Sequence, residues 1–407
     1  MRRPPVATSD RGVAAADLLR ALYPAPLDVE VAAKPSDQVR AVWTAVPSAD
    51  SPRLLVPAGI GRVAARMARR QLTGRRVRTR IARAGLSVAM GTGMLGHVSW
   101  LRVAVTGPAE APCIEDPLCQ VLGVDHVRLT LPVGPARANR KAVLQVTDRA
   151  GRVLAFAKVG HNELTQRLVR HEGEVLRELE ATVLRAVLAP RPLASVTWAG
   201  LEIVVLEPLE IPARRASGDE RRQRLLAVVR EVSGVGGRSV LAWGQHPHRA
   251  LLLSQIERCG DLAAPLRQQV ESIRPALTMP TGAWHGDLNS GNAALVPGAC
   301  PVWDWERFGK GVPVGFDLLH HDLHEAITVE GVPAREAAAA VLGRAGMVLT
   351  PLDVDRSTAE AIARAYLVTL ACRYLADDQH EAGADLGNVE DWLLPALESL
   401  PVEGGRT

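Results

Sequence analysis

From residue 127 onward the period of the apolar residues changes in an order that few folds share. VRLTLPV (127–133), KAVLQVTD (141–148) and RVLAFAK (152–158) alternate with the period of two expected of strands, with GPARANR (134–140) and DRAG as turns between them. After Gly160 the spacing becomes helical: Asn162 is placed to cap, and leucines and valines follow at 164, 168, 175, 176, 179 and 183. LASVTWAG (193–200) and LEIVVLEPL (201–209) return to strand character. Beyond residue 215 the chain reads as helices, except for one short hairpin made of AALV, the turn PGAC and PVWDW. Three strands, a helix and two strands followed by a helical body make an α+β protein.

Composition narrows the class. A chain of 407 residues has room for two or three domains, and 47% hydrophobic with 23% charged residues excludes a disordered or fibrous protein. Lysine occurs only at Lys34, Lys141, Lys158 and Lys310 among 48 basic residues, so lysine positions carry weight where a compact ammonium is needed. The five cysteines (Cys113, Cys119, Cys259, Cys300, Cys372) form no C-x-x-C pair and fit a reducing cytoplasm. The N-terminus, MRRPPVATSD, lacks the apolar core of an export signal. The apolar stretch 84–101 is broken by three glycines and His97, and reads as buried strands and a turn rather than a membrane span. Between Arg53 and Ala109 there are eleven arginines and no acid. Such a cluster can meet phosphates, but without a nucleic-acid motif it reads as a solvated or interdomain face, and nucleic-acid binding is disfavoured.

Two groups of residues carry chemistry. On the helix after Gly160, Glu172 lies four residues after Leu168 and four before Leu176, on the apolar stripe, whereas Glu174 is turned roughly 200° away. A carboxylate there needs a cation, and Lys158 at the end of the preceding strand is the candidate. The alternative is a purely structural ion pair. The second group is WHGDLNSGNAALVPGACPVWDWERFG (284–309), in which Asp287, Asn292 and Asp304 supply an acceptor for a hydroxyl and oxygen ligands for Mg²⁺.

HGDLNSGN followed by VWDWE resembles the catalytic loop and metal-binding segment of the aminoglycoside phosphotransferase-like family of small-molecule kinases, and the resemblance extends over about residues 120 to 400. It implies a protein kinase-like bilobal fold, with a small sheet-containing N-lobe (114–209) and a mainly helical C-lobe (210–407), preceded here by a basic N-terminal region (1–113) of unknown role. It further implies that Asp287 is the catalytic base or hydroxyl-orienting residue, that Asn292 and Asp304 ligate Mg²⁺, and that Lys158, held by Glu172, contacts the phosphates of ATP. His285 would support the loop backbone, and Asp317 would begin the next helix and brace the loop. Glu207 to Leu209 would form the hinge that meets the adenine. The phosphate-covering loop departs from G-x-G-x-x-G: it offers Gly134, Asn139, Arg140 and Lys141 instead. Phe156 also stands where a protein kinase has a small residue.

Other patterns read as bland. GTGMLG (91–96) lacks a surrounding βαβ unit, so it is read as turns. HHDLH (320–324) is taken as the polar face of a helix rather than a metal pair, and Ser290 lacks the elbow of a hydrolase nucleophile. The acidic run 377–391 is read as a solvated surface, with an acidic wall for a cationic substrate as the alternative. The expected activity is transfer of the γ-phosphoryl group of ATP, with Mg²⁺, to a hydroxyl of an aminoglycoside-, amino-alcohol- or sugar-like small molecule in the cytoplasm. The alternative is a nucleotide-binding pseudokinase or scaffold that uses its basic N-terminus to bind a partner or nucleic acid.

Overall fold

The computed structural model describes residues 10–31, 39–49, 51–58, 102–134, 139–381 and 386–399. The 84–101 stretch, GTGMLG and most of the arginine cluster lie outside these residues. The chain forms two compact units: Met1–Gly173 with Pro192–Pro208, and Glu174–Arg191 with Leu209–Thr407.

In the first half of the chain the elements are α1 (Asp10–Leu22), β1 (Asp28–Val31), β2 (Val39–Val46), β3 (Leu54–Pro57), β4 (Arg102–Thr106), α2 (Glu115–Leu122), β5 (Arg128–Pro132), β6 (Ala142–Thr147), β7 (Val153–Gly160) and α3 (Glu163–Glu180), then β8 (Val187–Leu188, in the second unit), β9 (Pro192–Trp198) and β10 (Leu201–Leu206). The five strands expected between 127 and 209 all form. Among the described residues they continue into a nine-stranded antiparallel sheet of order β1-β4-β2-β3-β5-β6-β7-β10-β9. The join is β3 on β5, with Leu54 opposite Pro132 and Leu55 opposite Leu131. Leu18, Leu19 and Leu22 of α1 share one apolar cluster with Trp43, Leu55, Leu144, Ala157 and Ile203.

The boundary expected at 113/114 therefore falls inside one sheet and one core. Strands β1 and β3 are only four residues long, too short for a period of two to stand out, and β2 (VRAVWTAV) is apolar on both faces over most of its length.

The second unit contains α4 (Gly218–Gly234), β11 (Ser239–Ala242), α5 (Pro247–Ile256), α6 (Ala263–Glu271), β12 (Thr278–Trp284), β13 (Cys300–Pro301), β14 (Gly309–Pro313), α7 (Phe316–Glu325), α8 (Ala334–Leu349), α9 (Arg356–Ala376) and α10 (Leu393–Glu398). It is mainly helical, but not to the extent expected: β11, β12 and β14 form a three-stranded antiparallel sheet, and β13 pairs in parallel with β8. Helix α9 supplies the centre of this unit, with Ile362, Ala365, Tyr366, Leu367 and Val368 fully buried. Among the described residues no single helix is long and apolar enough to cross a membrane.

A sheet interrupted after β7 by a helix bearing a buried glutamate, followed by a mainly helical unit, is the element order expected from the sequence. Because α1 and β1–β4 bury the same core as β5–β7, deleting residues 1–113 is expected to leave a chain that aggregates or is digested rapidly by protease. A soluble, protease-resistant 114–407 fragment would show that the N-terminal strands are dispensable.

Candidate active site

In the first unit, β7 is paired on both sides, Lys158 lying opposite Val143 of β6 and Val204 of β10. Ala155, Ala157 and Val159 point into the apolar cluster, so Lys158 projects from the other face of the sheet. Gly160 lets the chain turn sharply into α3, because a Cβ there would lie 2.6 Å from the backbone of Gln166. The helix start is fixed by reciprocal bonds. Asn162 Oδ1 accepts from the Thr165 N–H at 2.9 Å, and Thr165 Oγ1 accepts from the N–H groups of His161 and Asn162.

Ten residues on, fully buried Glu172 receives the Lys158 ammonium, with Nζ to Oε1 at 2.5 Å. Removing either partner would strand a buried charge, at a cost of about 3–5 kcal/mol. The apolar stripe ends at Leu179: Val183 is exposed because the helix stops at Glu180.

The other nucleotide-site candidates of this part of the chain lie in loops. Exposed Gly134 and half-buried Asn139 and Lys141 stand on either side of 135–138, which lie outside the described residues. Glu207 and Leu209 flank Pro208, where the chain passes from the first unit to the second.

In the second unit the loop after β12 is built around three carboxylates. His285 is fully buried. Its Nε2–H donates to the Trp303 carbonyl at 3.1 Å, and its Nδ1 accepts from the Asp287 N–H at 3.2 Å, so the ring is neutral. Burial pushes its pKa down to about 4 in the same direction. Asp317, in the first turn of α7, accepts the N–H of His285 at 2.7 Å and that of Gly286 at 3.2 Å. Burial pushes this carboxyl up to about 7 despite those two bonds. Gly286 has φ of 86°, and a Cβ there would collide with the Arg307 carbonyl. From α9, Arg373 donates to the Gly286 carbonyl at 2.5 Å, with its guanidinium 5.9 Å from the centre of the Trp284 ring.

Asp287 emerges from this brace with about a third of its side chain accessible. Asn292 Nδ2 donates to its Oδ2 at 2.7 Å, and Asn289 Nδ2 to its Oδ1 at 3.2 Å. The third partner, His320 Nε2, lies 2.9 Å from Oδ1. Burial would raise the Asp287 pKa, but the His320 hydrogen bond and the positive field of Arg373 outweigh it and hold the carboxyl well below the usual carboxylate range.

Asn292 and Asp304 are brought together by the hairpin backbone. Trp303 N–H donates to the Asn292 carbonyl at 3.0 Å, and Ala293 bridges Val302. Asp304, the next residue, adopts a left-handed backbone with φ of 72°. The Asn292 amide nitrogen is committed to Asp287, which leaves its Oδ1 as the atom suited to a cation. An amide oxygen and a carboxylate on one hairpin are a donor set that fits Mg²⁺.

Two expectations change. His320 and His321 are buried, not on a polar helix face, and His320 contacts Asp287. A signal was available: His320 follows Asp317 by three residues, so the helix that braces 285–286 must carry residue 320 along the same side of the loop. In the acidic run Asp377 is buried against Arg307 in an ion pair rather than solvated, whereas Asp378, Glu381, Glu390 and Asp391 are exposed as expected. Ser290 is exposed, and both ring nitrogens of His285 are committed elsewhere, so no hydrolase triad forms.

No family model and no curated protein matches the chain. Solved structures similar to it include a thermostable mutant of an aminoglycoside phosphotransferase in ternary complex with ADP and hygromycin B. Identity to it is 13%, with 72% of this chain and 99% of that one covered and a TM-score of 0.46. A protein assigned as a fructosamine-3-kinase from Haemophilus somnus is 11% identical over 70% of this chain and 96% of that one, with a TM-score of 0.43. Spectinomycin phosphotransferase in complex with ADP and spectinomycin is 13% identical over 70% and 94% of the two chains, with a TM-score of 0.39.

Two outcomes are expected from the loop. Gly286→Ala forces both a left-handed Ala and a backbone collision, so it should destabilise the second unit by at least about 2 kcal/mol, read as a lowered urea midpoint. Acid should also destabilise this unit. Burial pushes His246 and His285 down to about 4 and His248 to about 3. Each stays neutral in the folded state while the unfolded chain takes up a proton below about 6.5, so its contribution is full above that pH and is lost as pH falls through 4. Each is worth on the order of 3 kcal/mol. Asp317, with its raised pKa, acts oppositely between about 7 and 3.8 but offsets only about one histidine. The urea midpoint should therefore fall between pH 7 and pH 4.5, and His248→Gln should shrink that fall.

Proposed function

We propose that the chain is an ATP- and Mg²⁺-dependent phosphotransferase that moves the γ-phosphoryl group to a hydroxyl of a small molecule. The observation that carries this reading is the state of Asp287: an ionised carboxylate fixed by donors from Asn289, Asn292 and His320, yet still partly open to solvent. Phosphoryl transfer asks the protein for positioning and charge neutralisation more than for a strong base. An oriented acceptor of this kind can hold an attacking hydroxyl by its proton.

Lys158 would bind nucleotide phosphates, with Glu172 fixing the direction of its ammonium. Gly134, Asn139 and Lys141 would cover the phosphates, and the backbone from Glu207 to Leu209 would meet the adenine. Asn292 Oδ1 and Asp304 would hold Mg²⁺, which when bound neutralises charge on the phosphate oxygens. His285 and Asp317 act through the loop backbone and are positioning residues. The substrate class is a hydroxylated amino sugar, amino alcohol or sugar, and cytoplasmic ATP would supply the donor. A non-catalytic scaffold has no use for a carboxylate oriented by three side chains.

The test is turnover of radiolabelled ATP against a panel of hydroxylated metabolites and aminocyclitol antibiotics. Asp287→Asn should lower transfer by at least about a hundredfold while leaving the nucleotide Kd within about twofold, because the lost group acts on the acceptor. Normal turnover by this variant would remove Asp287 from the mechanism.

A further inference from the structure

His320 and His324 are one helical turn apart on α7, so their imidazoles leave the same face, with ring centroids 5.6 Å apart. Asp287 presents its carboxylate to the same point: one ligand atom from each of the three residues lies within 4.8 Å of the other two. Two imidazoles and one carboxylate suit a divalent ion of the zinc or cobalt type, whereas Mg²⁺ selects oxygen ligands. Atoms bound to one such ion at about 2.0–2.2 Å stand roughly 3.0–3.5 Å apart. The Asp287 Oδ1 to His320 Nε2 pair, at 2.9 Å, is already near that spacing, and only half-buried His324 has to turn inward.

The outer partners support the same reading. Tyr366 Oη lies 2.9 Å from His320 Nδ1, and Thr328 Oγ1 lies 3.4 Å from His324 Nδ1, so in both rings Nε2 is the nitrogen turned to the ion. His320 Nε2–H donates to the Asp287 carboxylate, and its Nδ1 faces the Tyr366 hydroxyl. An ion bound at Nε2 takes the place of that proton, which passes to Nδ1 beside the Tyr366 oxygen or to solvent.

We infer that Asp287, His320 and His324 form a binding site for a divalent transition-metal ion whose occupancy withdraws Asp287 from the acceptor hydroxyl and shuts off phosphotransfer. The inhibition rests on the proposed function, but the metal site itself does not. The same helix turn that orients the carboxylate would then also disable it.

The experiment titrates the full chain with Co²⁺ and follows its visible absorption, in the wild type and in His324→Gln and His324→Asn. Wild type should show a saturable band at one equivalent, and both variants should bind at least about tenfold more weakly. In turnover assays with excess Mg²⁺, the Zn²⁺ concentration for half-inhibition should rise at least about tenfold in the variants, each measured against its own uninhibited rate. A Co²⁺ spectrum and affinity unchanged in both variants would overturn the site. His324-dependent Co²⁺ binding without Zn²⁺ inhibition would overturn the regulatory role. His324-dependent binding in a protein that turns over no acceptor would leave the metal site standing and defeat the phosphotransferase reading.

Discussion

The carboxylate of Asp317 is the point on which the loop after β12 depends. It takes the N–H groups of His285 and Gly286 from a buried stretch of backbone that would otherwise leave both unsatisfied, at the expense of burying a charge whose pKa burial pushes to about 7. The consequences follow along the chain and along the helix. Gly286 must take a left-handed conformation to present its N–H, and Arg373 from α9 then closes over its carbonyl. Asp287 is carried to a fixed place beside α7, one turn along from Asp317, where His320 meets it. One helix thus both anchors the loop and fixes the direction of the Asp287 carboxylate.

How much of this was legible depends on how local each feature is. Strands β5–β7, helix α3, and β9 and β10 were readable because each repeats its period over five residues or more, and Asn162 announced the start of α3 by its own side chain. Strands β1, β3 and β11 are four residues long, and β12 contains Pro280 and Gly282, so neither a period nor a propensity marks them. Their existence is decided by pairing: β12 forms between β11 and β14, which are joined to it over long stretches of chain. The same distinction runs through the site. Asp287, Asn292 and Asp304 fall within 18 residues and were visible as a motif, whereas Arg373 and His320 reach the loop only through the docking of α9 and α7.

Two of the four lysines stand in contrasting surroundings. Lys158 is buried, paired to Glu172 and set on a strand bonded on both sides. Lys310, by contrast, pairs with Glu178 at a half-exposed surface, where arginine would serve as well. The cost of desolvating the Lys158–Glu172 pair gives stability no reason to prefer it to two apolar residues.

The surroundings of Asp287 set what it can do. Three side-chain donors crowd its two oxygens, and the Arg373 field adds to them, so its affinity for a proton is low. Chemistry that requires full removal of a proton before bond formation would be poorly served by such a group. Transfer through a loose transition state makes a smaller demand: the attacking oxygen carries little charge until late, and its proton needs a directed acceptor more than a strong one. The donors that weaken Asp287 as a base are the ones that fix its direction. Loss of a donor would raise its basicity while loosening its aim, and for a reaction governed by alignment the second effect is the larger.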